Sequence, residues 1–259
     1  MSMAHPTASA ARSAGPIATH WLACRDRKPD ATAQLYCFAH AGGSAGEFLR
    51  WSDDLPGVRV LALKLPGRAP REKEPPFTRM PDLVDALVEQ VGFGPGPFAF
   101  FGHSLGGLVA HEVARTLRAA GRPGPQRLFV SSVQPPPVTT RQPVHRLPRA
   151  DLLTEIERRW GALPAAVHED EELRDIVLGY FRADMEIAET YGFVPGPPLA
   201  IPVTAFVGDQ EDGDLTGWGA HTAGPFEHHT LRGGHFYFRD PEQRRELLRH
   251  VHRMLGAEH

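Results

Sequence analysis

Cysteine is scarce in this 259-residue sequence: Cys24 and Cys37 are the two present. A framework of several disulfides is therefore excluded. Cys37 lies in the apolar run Gln34-Leu-Tyr-Cys-Phe-Ala39 and reads as a buried thiol, which suits a reducing compartment. Long apolar runs are missing as well. No segment approaches the roughly 18 apolar residues of a membrane span, and residues 1–15 contain no apolar signal core. Excess positive charge is also absent, the net charge being -3 with histidine neutral. Neither nucleic acid nor an anionic membrane is called for as a partner. The basic residues are almost all arginine, without a stripe, and Arg59, Arg68 and Arg71 read as exposed, solvated charge rather than as a patch for an acidic partner surface. The expectation is a soluble cytoplasmic protein with residues 1–15 as a disordered tail.

Proline and glycine, by contrast, are plentiful at 25 and 26 residues, so many tight turns are expected. Hydrophobic residues make up 41%, enough for a substantial core. Short β-rich runs alternate with helical patterns. The candidate strands are Ile17–Leu22, Gln34–Ala39, Arg59–Leu63, Phe98–Phe101, Arg127–Ser131, Val203–Val207 and His228–Leu231. Leu83, Val84, Leu87, Val88 and Val91 share one helical face, and Val109, Ala110, Val113, Ala114 and Leu117 another, with Gly121 placed to end that helix. Asp240 and Pro241 open a C-terminal helix whose apolar face is Leu247, Leu248, Val251, Met254 and Leu255. Strands alternating with helices predict an α/β domain over residues 16–259, its mainly parallel sheet covered on both faces.

One stretch breaks the alternation. From about Arg141 to Tyr191 there is helical pattern without a strand, between Pro135-Pro136-Pro137 and Pro195-Gly196-Pro197-Pro198. Two or three helices inserted there would form a lid over the strand ends, where open α/β sheets bind ligands.

The chemistry centres on Gly102-His103-Ser104-Leu105-Gly106. This G-x-S-x-G follows a strand and precedes a helix, the context of the nucleophile elbow of α/β-hydrolases. Ser104 is the candidate nucleophile, and a serine hydroxyl needs a base. In that fold the order along the chain is serine, acid, histidine. His235, in Gly233-Gly234-His235-Phe236, follows the last candidate strand and is the candidate base. The acid belongs after Val203–Val207, where the sequence reads Gly208-Asp209-Gln210-Glu211-Asp212-Gly213-Asp214. Asp212 is preferred, with Asp209 and Glu211 as alternatives. The acidic cluster does not have the spacing of a calcium loop, so no metal is expected. For the oxyanion, the amide of Leu105 is one expected donor and that of Ala41, in His40-Ala41-Gly42-Gly43-Ser44, the other, with Gly42 next. That loop lacks the P-loop and dinucleotide patterns, so no nucleotide or other cofactor is implied.

The segments Phe38-Ala-His-Ala-Gly-Gly-Ser44, Leu65-Pro-Gly-Arg68 with Arg71, the elbow and Gly233-Gly-His-Phe236 occur together and in order. With Arg182-Ala-Asp-Met185, Tyr191, Pro202-Val-Thr-Ala205 and Trp218-x-x-x-Thr222, they resemble the type II thioesterases, editing enzymes of polyketide and nonribosomal peptide synthases. The resemblance covers Tyr36 to Phe238. It implies hydrolysis of acyl thioesters from the phosphopantetheine arm of carrier proteins, an acyl-enzyme on Ser104, and a lid that shapes an acyl chamber. Two departures stand out: Ala39 replaces a usual proline, and the family's Gly-x-x-Asp after the acid-bearing strand reads Gly208-x-x-Glu211 here. A general esterase or lipase acting on oxygen esters is the alternative, and a monomer is the default.

Overall fold

The computed structural model describes residues 20–26, 28–94, 96–137, 143–161 and 163–256. The proposed tail lies outside these, as does the first half of the candidate strand Ile17–Leu22.

Strand β2 (Ala33–Phe38) shows how the sheet is built. Tyr36 and Phe38 point into one core and Leu35 and Cys37 into the other, all four buried. Strand β4 (Phe98–His103) does the same with Phe98 and Phe100 on one side and Ala99 and Phe101 on the other. Side chains alternate across a strand, so a run apolar on every residue needs cover on both faces.

The remaining strands are β1 (Leu22–Ala23), β3 (Val58–Leu63), β5 (Arg127–Ser131), β6 (Val203–Gly208) and β7 (Phe226–Leu231). They form one sheet in the order β1-β3-β2-β4-β5-β6-β7, in which β1 alone is antiparallel to its neighbour. The strand that precedes Ser104 is therefore central, flanked by β2 and β5.

Helices α1 (Gly46–Leu49), α2 (Trp51–Asp54) and α8 (Pro241–Leu255) cover one face through Phe48, Trp51, Leu247, Leu248 and Val251. Helices α3 (Met80–Gln90) and α4 (Leu105–Ala119) cover the other through Leu83, Leu87, Leu108, Val113 and Leu117. Each such fully buried side chain contributes about 1.5–3 kcal/mol of transfer free energy. The expected ends hold: the Asp240 carboxylate accepts from the amides of Glu242 and Gln243 to cap α8, and Gly121 (φ +63°) closes α4.

Between β5 and β6 the chain runs through a 3-10 turn (Val144–Arg146) and helices α5 (Arg149–Trp160), α6 (Ala165–Glu169) and α7 (Glu171–Thr190). Val144, Leu152, Ile156, Leu178, Phe181 and Met185 form a separate apolar cluster that also touches Ala41. The insertion thus has its own small core and sits against the loop after β2. Both cysteines are free, and burial pushes the Cys37 thiol well up. No helix among the described residues is long and apolar enough to cross a membrane.

Candidate active site

Parallel strands end together, and the ends of β2, β4, β5 and β6 bring the candidate residues to one place. β4 passes into α4 at Ser104, whose backbone is left-handed (φ +53°) and whose amide donates to the Ser131 carbonyl at 2.8 Å. A non-glycine residue in that region is strained and persists where its surroundings over-determine it. Here the flanking glycines let the turn close. A Cβ on Gly102 would lie 2.2 Å from the Gly106 carbonyl oxygen, and one on Gly106 would lie 2.2 Å from that of Phe38. Helix α4 therefore enters against the end of β2, and Leu105, its first residue, has an amide without an intrahelical acceptor.

His235 follows β7 on a loop bound tightly to the end of β6. The Gln210 amide donates to the Gly233 carbonyl at 3.0 Å, and the Gly233 amide donates to Oδ1 of Asp209 at 2.8 Å. Gly208 is required for this approach, since a Cβ there would meet the Gly233 carbonyl oxygen at 2.3 Å. Nδ1 of His235 lies 2.8 Å from Oε2 of Glu211. Its Nε2 is buried and makes no hydrogen bond among the described residues, so it is left for a partner other than the acid.

The preferred acid is corrected by this geometry. Asp212 is exposed, whereas Glu211 faces the imidazole and is held by two further donors, Ser132 Oγ at 2.6 Å and the Gly208 amide at 3.1 Å. The tight turn after β6, closed by the Glu211 amide on the Gly208 carbonyl at 3.1 Å, sends residue 211 inward and residue 212 out. Burial works to raise the Glu211 pKa, but the hydrogen bonds from His235, Ser132 and the Gly208 amide outweigh it and hold the carboxyl below its ordinary value. The usable signal was the spacing Gly208-x-x-Glu211. Asp209 binds the histidine loop and Asp214 caps the amide of Thr216, so neither serves the imidazole.

His103 lies beside His235, ring centroids 4.9 Å apart, and is fully buried. Burial first, and the neighbouring His235, His40 and Arg239 after it, keep it well below the ordinary histidine range, hence neutral. Its Nδ1 pairs with Ser131 Oγ at 2.8 Å, which in turn pairs with the Tyr237 hydroxyl at 2.6 Å. This chain packs the floor beneath the histidine loop. His111 is buried on α4 among Phe193, Trp218 and His221 and takes no part in the Glu211–His235 pair.

Ala41 and Gly42 follow β2 next to the elbow. The Gly42 amide is already engaged by Oδ2 of Asp184 at 2.8 Å, which leaves Ala41 as the better of the two expected oxyanion donors. Arg68 and Arg71 overturn the solvated-charge expectation, because both are 5% exposed. Arg68 pairs with Asp184 at 2.6 Å, while Arg71 pairs with Glu74, donates to the Lys64 carbonyl and lies 4.0 Å from the Trp21 ring centroid. Neither is free to meet a partner surface. Among the described residues, no group of histidine, cysteine and carboxylate side chains is placed to hold a metal ion.

Residues 33–255 match the family model described as Thioesterase domain. Over 227 residues the chain is 37% identical to thioesterase PikA5 of Streptomyces venezuelae, an alignment that covers 85% of this chain and 80% of that protein. It is 33% identical over 224 residues to the gramicidin S biosynthesis protein GrsT of Aneurinibacillus migulanus, covering 84% and 87%. Among solved structures, the type II thioesterase BorB of the borrelidin biosynthetic cluster superposes with a TM-score of 0.80 at 33% identity, covering 91% of this chain and 97% of that one. RedJ, a thioesterase of prodiginine biosynthesis in Streptomyces coelicolor, superposes with a TM-score of 0.76 at 34% identity, covering 86% and 85%.

Proposed function

The chain belongs to the thioesterase family, and from that premise we propose that it is a type II thioesterase. It hydrolyses acyl thioesters from the phosphopantetheine arms of carrier proteins, clearing aberrant or stalled acyl groups from a polyketide or nonribosomal peptide synthase. The observation that carries the catalytic part is the Glu211–His235 pair at 2.8 Å beside the strained Ser104 elbow.

Ser104 Oγ attacks the thioester carbonyl while His235 Nε2 takes its proton. Glu211 holds the imidazole through Nδ1–H and stabilises the imidazolium that forms. Negative charge developing on the carbonyl oxygen is received by the amides of Leu105 and Ala41. Collapse expels the pantetheine thiolate, which takes up the proton from His235, and leaves an acyl-enzyme on Ser104. Water, activated by the same imidazole, then attacks the ester and frees the acid. Helices α5 to α7 form the lid over this site, held together by the apolar cluster around Leu152, Phe181 and Met185.

The test is hydrolysis of an acyl group presented on a carrier protein, on a pantetheine thioester and on a matched oxygen ester, with Ser104→Ala as control. Preference for the carrier-borne thioester, lost in Ser104→Ala, supports the proposal. Equal or faster turnover of the oxygen ester would make the protein a general esterase and overturn the assigned substrate class.

A further inference from the structure

The loop after β2 is fixed peptide by peptide. The His40 carbonyl accepts the Gly43 amide at 2.9 Å, and Nδ1 of His40 donates to the Ala41 carbonyl at 2.8 Å. The Gly42 amide donates to Oδ2 of Asp184 at 2.8 Å, and the Gly43 carbonyl accepts Nη1 of Arg68 at 2.8 Å. In a planar trans peptide the carbonyl and the amide point in opposite directions. Holding the His40 carbonyl therefore aims the Ala41 N–H, and holding both ends of the Ala41–Gly42 unit stops that peptide from turning over.

One of these restraints comes from far away in sequence. Asp184 lies on α7 of the insertion, 142 positions beyond Gly42. Its carboxylate is gripped by the Arg68 fork, Nη1 to Oδ2 at 2.8 Å and Nη2 to Oδ1 at 2.6 Å, with the two side chains 5% and 3% exposed. The Tyr180 ring covers the Arg68 guanidinium, 4.7 Å from ring centroid to Cζ. Phe181 presses on the loop so closely that a Cβ at Gly42 (φ +78°) would lie 2.5 Å from its ring. A buried ion pair is not needed for stability as such, because apolar side chains of similar volume often do as well or better. What apolar side chains could not do is accept the Gly42 amide.

We propose that Asp184 is a positioning residue for the oxyanion hole, and that Arg68 acts through it by holding its carboxylate. The insertion thereby governs turnover, because the residue that holds the Gly42 amide, and so keeps the peptide next to the Ala41 N–H from turning over, belongs to α7 rather than to the sheet. This rests on the reading of Ala41 and Leu105 as the oxyanion donors.

Two double variants separate this role from simple packing. Arg68→Met with Asp184→Leu removes the ion pair, the Arg68 donor to the Gly43 carbonyl and the acceptor for Gly42. Arg68→Met with Asp184→Asn removes the same ion pair and donor but keeps a carbonyl oxygen to accept the Gly42 amide. Hydrolysis of an acyl-pantetheine thioester is measured for each, with active sites counted by fluorophosphonate labelling of Ser104 so that misfolded chains do not enter kcat. The leucine variant should lose about 100-fold in kcat, the scale of losing one oxyanion donor, with KM within about threefold. The asparagine variant should return to within about tenfold of the parent. Parental kcat per labelled site in the leucine variant, or equal losses in both, would overturn the proposal. Should Ser104→Ala remain active, the reading of the site itself fails and the clamp falls with it; an inactive Ser104→Ala leaves the comparison to judge the clamp alone.

Discussion

Glu211 meets His235 with one carboxylate oxygen, Oε2 at 2.8 Å from Nδ1, and gives the other, Oε1, to Ser132 and the Gly208 amide. A carboxylate held on both oxygens has one orientation, and that orientation fixes which imidazole nitrogen carries the proton. Glu211→Gln should therefore cost about 10²–10⁴ in kcat, in line with the loss of an orienting acid elsewhere. Asp212→Ala should leave kcat and KM within about twofold, because its carboxylate is exposed, screened by solvent and salt, and is not the one that holds the imidazole. Steady-state hydrolysis of an acyl-pantetheine thioester by the two variants checks both.

Ser132→Ala should move the acidic side of the pH profile. Burial pushes Glu211 up, while hydrogen bonds, among them that from Ser132, hold its carboxyl below the ordinary value. Removing one of those donors raises the pKa, so the carboxylate takes up its proton at a higher pH. Loss of kcat/KM on acidification should accordingly begin at higher pH in the variant than in the parent. A profile that stays in place, or moves to lower pH, would refute the assigned role of Ser132.

Glu112 carries an acid-sensitive part of the stability. Burial would raise its pKa, but contacts with His111, Tyr191 and Arg115 bring it down to about 2, from an ordinary value of 4.5. A depressed carboxylate stabilises the fold fully above the unfolded value and loses that contribution as pH falls through the folded one. Glu112→Gln should cost about 1–3 kcal/mol at neutral pH. The difference from the parent should narrow between pH 4.5 and about 2, as thermal melts across that range would reveal.

Gly106→Ala should damage fold and site together. The added Cβ would come within 2.2 Å of the Phe38 carbonyl oxygen and 2.6 Å of that of Ala39, backbone atoms that cannot turn aside. Overpacking of this kind costs about 1–3 kcal/mol or more. A melting temperature equal to that of the parent would mean that α4 can withdraw from β2 without penalty.

How much of this was legible in the sequence depends on the range of the interaction. The Ser104 elbow is local: strand, glycine, serine, glycine and helix are contiguous, and the turn's steric demands are written in adjacent letters. The alternating strands were visible for the same reason. The acid was legible only to its neighbourhood, because Glu211 and Asp212 differ by one step of a turn whose direction is set by hydrogen bonds to Ser132 and Gly208. Arg68 reads as solvated from sequence alone because its partner, Asp184, lies 116 positions away and the two meet only once the insertion is in place. Nothing local to Leu65-Pro-Gly-Arg68 encodes that meeting.

The scattering of the site along the chain also bears on folding. Ser104 sits on the central strand, His235 arrives only after β7 has paired beyond β6, and Asp184 joins from an insertion with a core of its own. Contacts between distant positions pay loop-closure entropy before they gain anything, and they form late. Intermediates that hold only the early, local part of the sheet would contain the serine without its base or its fixed oxyanion loop. Recovered turnover would therefore be a stricter measure of complete native topology than recovered helix content, since every long-range closure must be in place before the first ester bond is made.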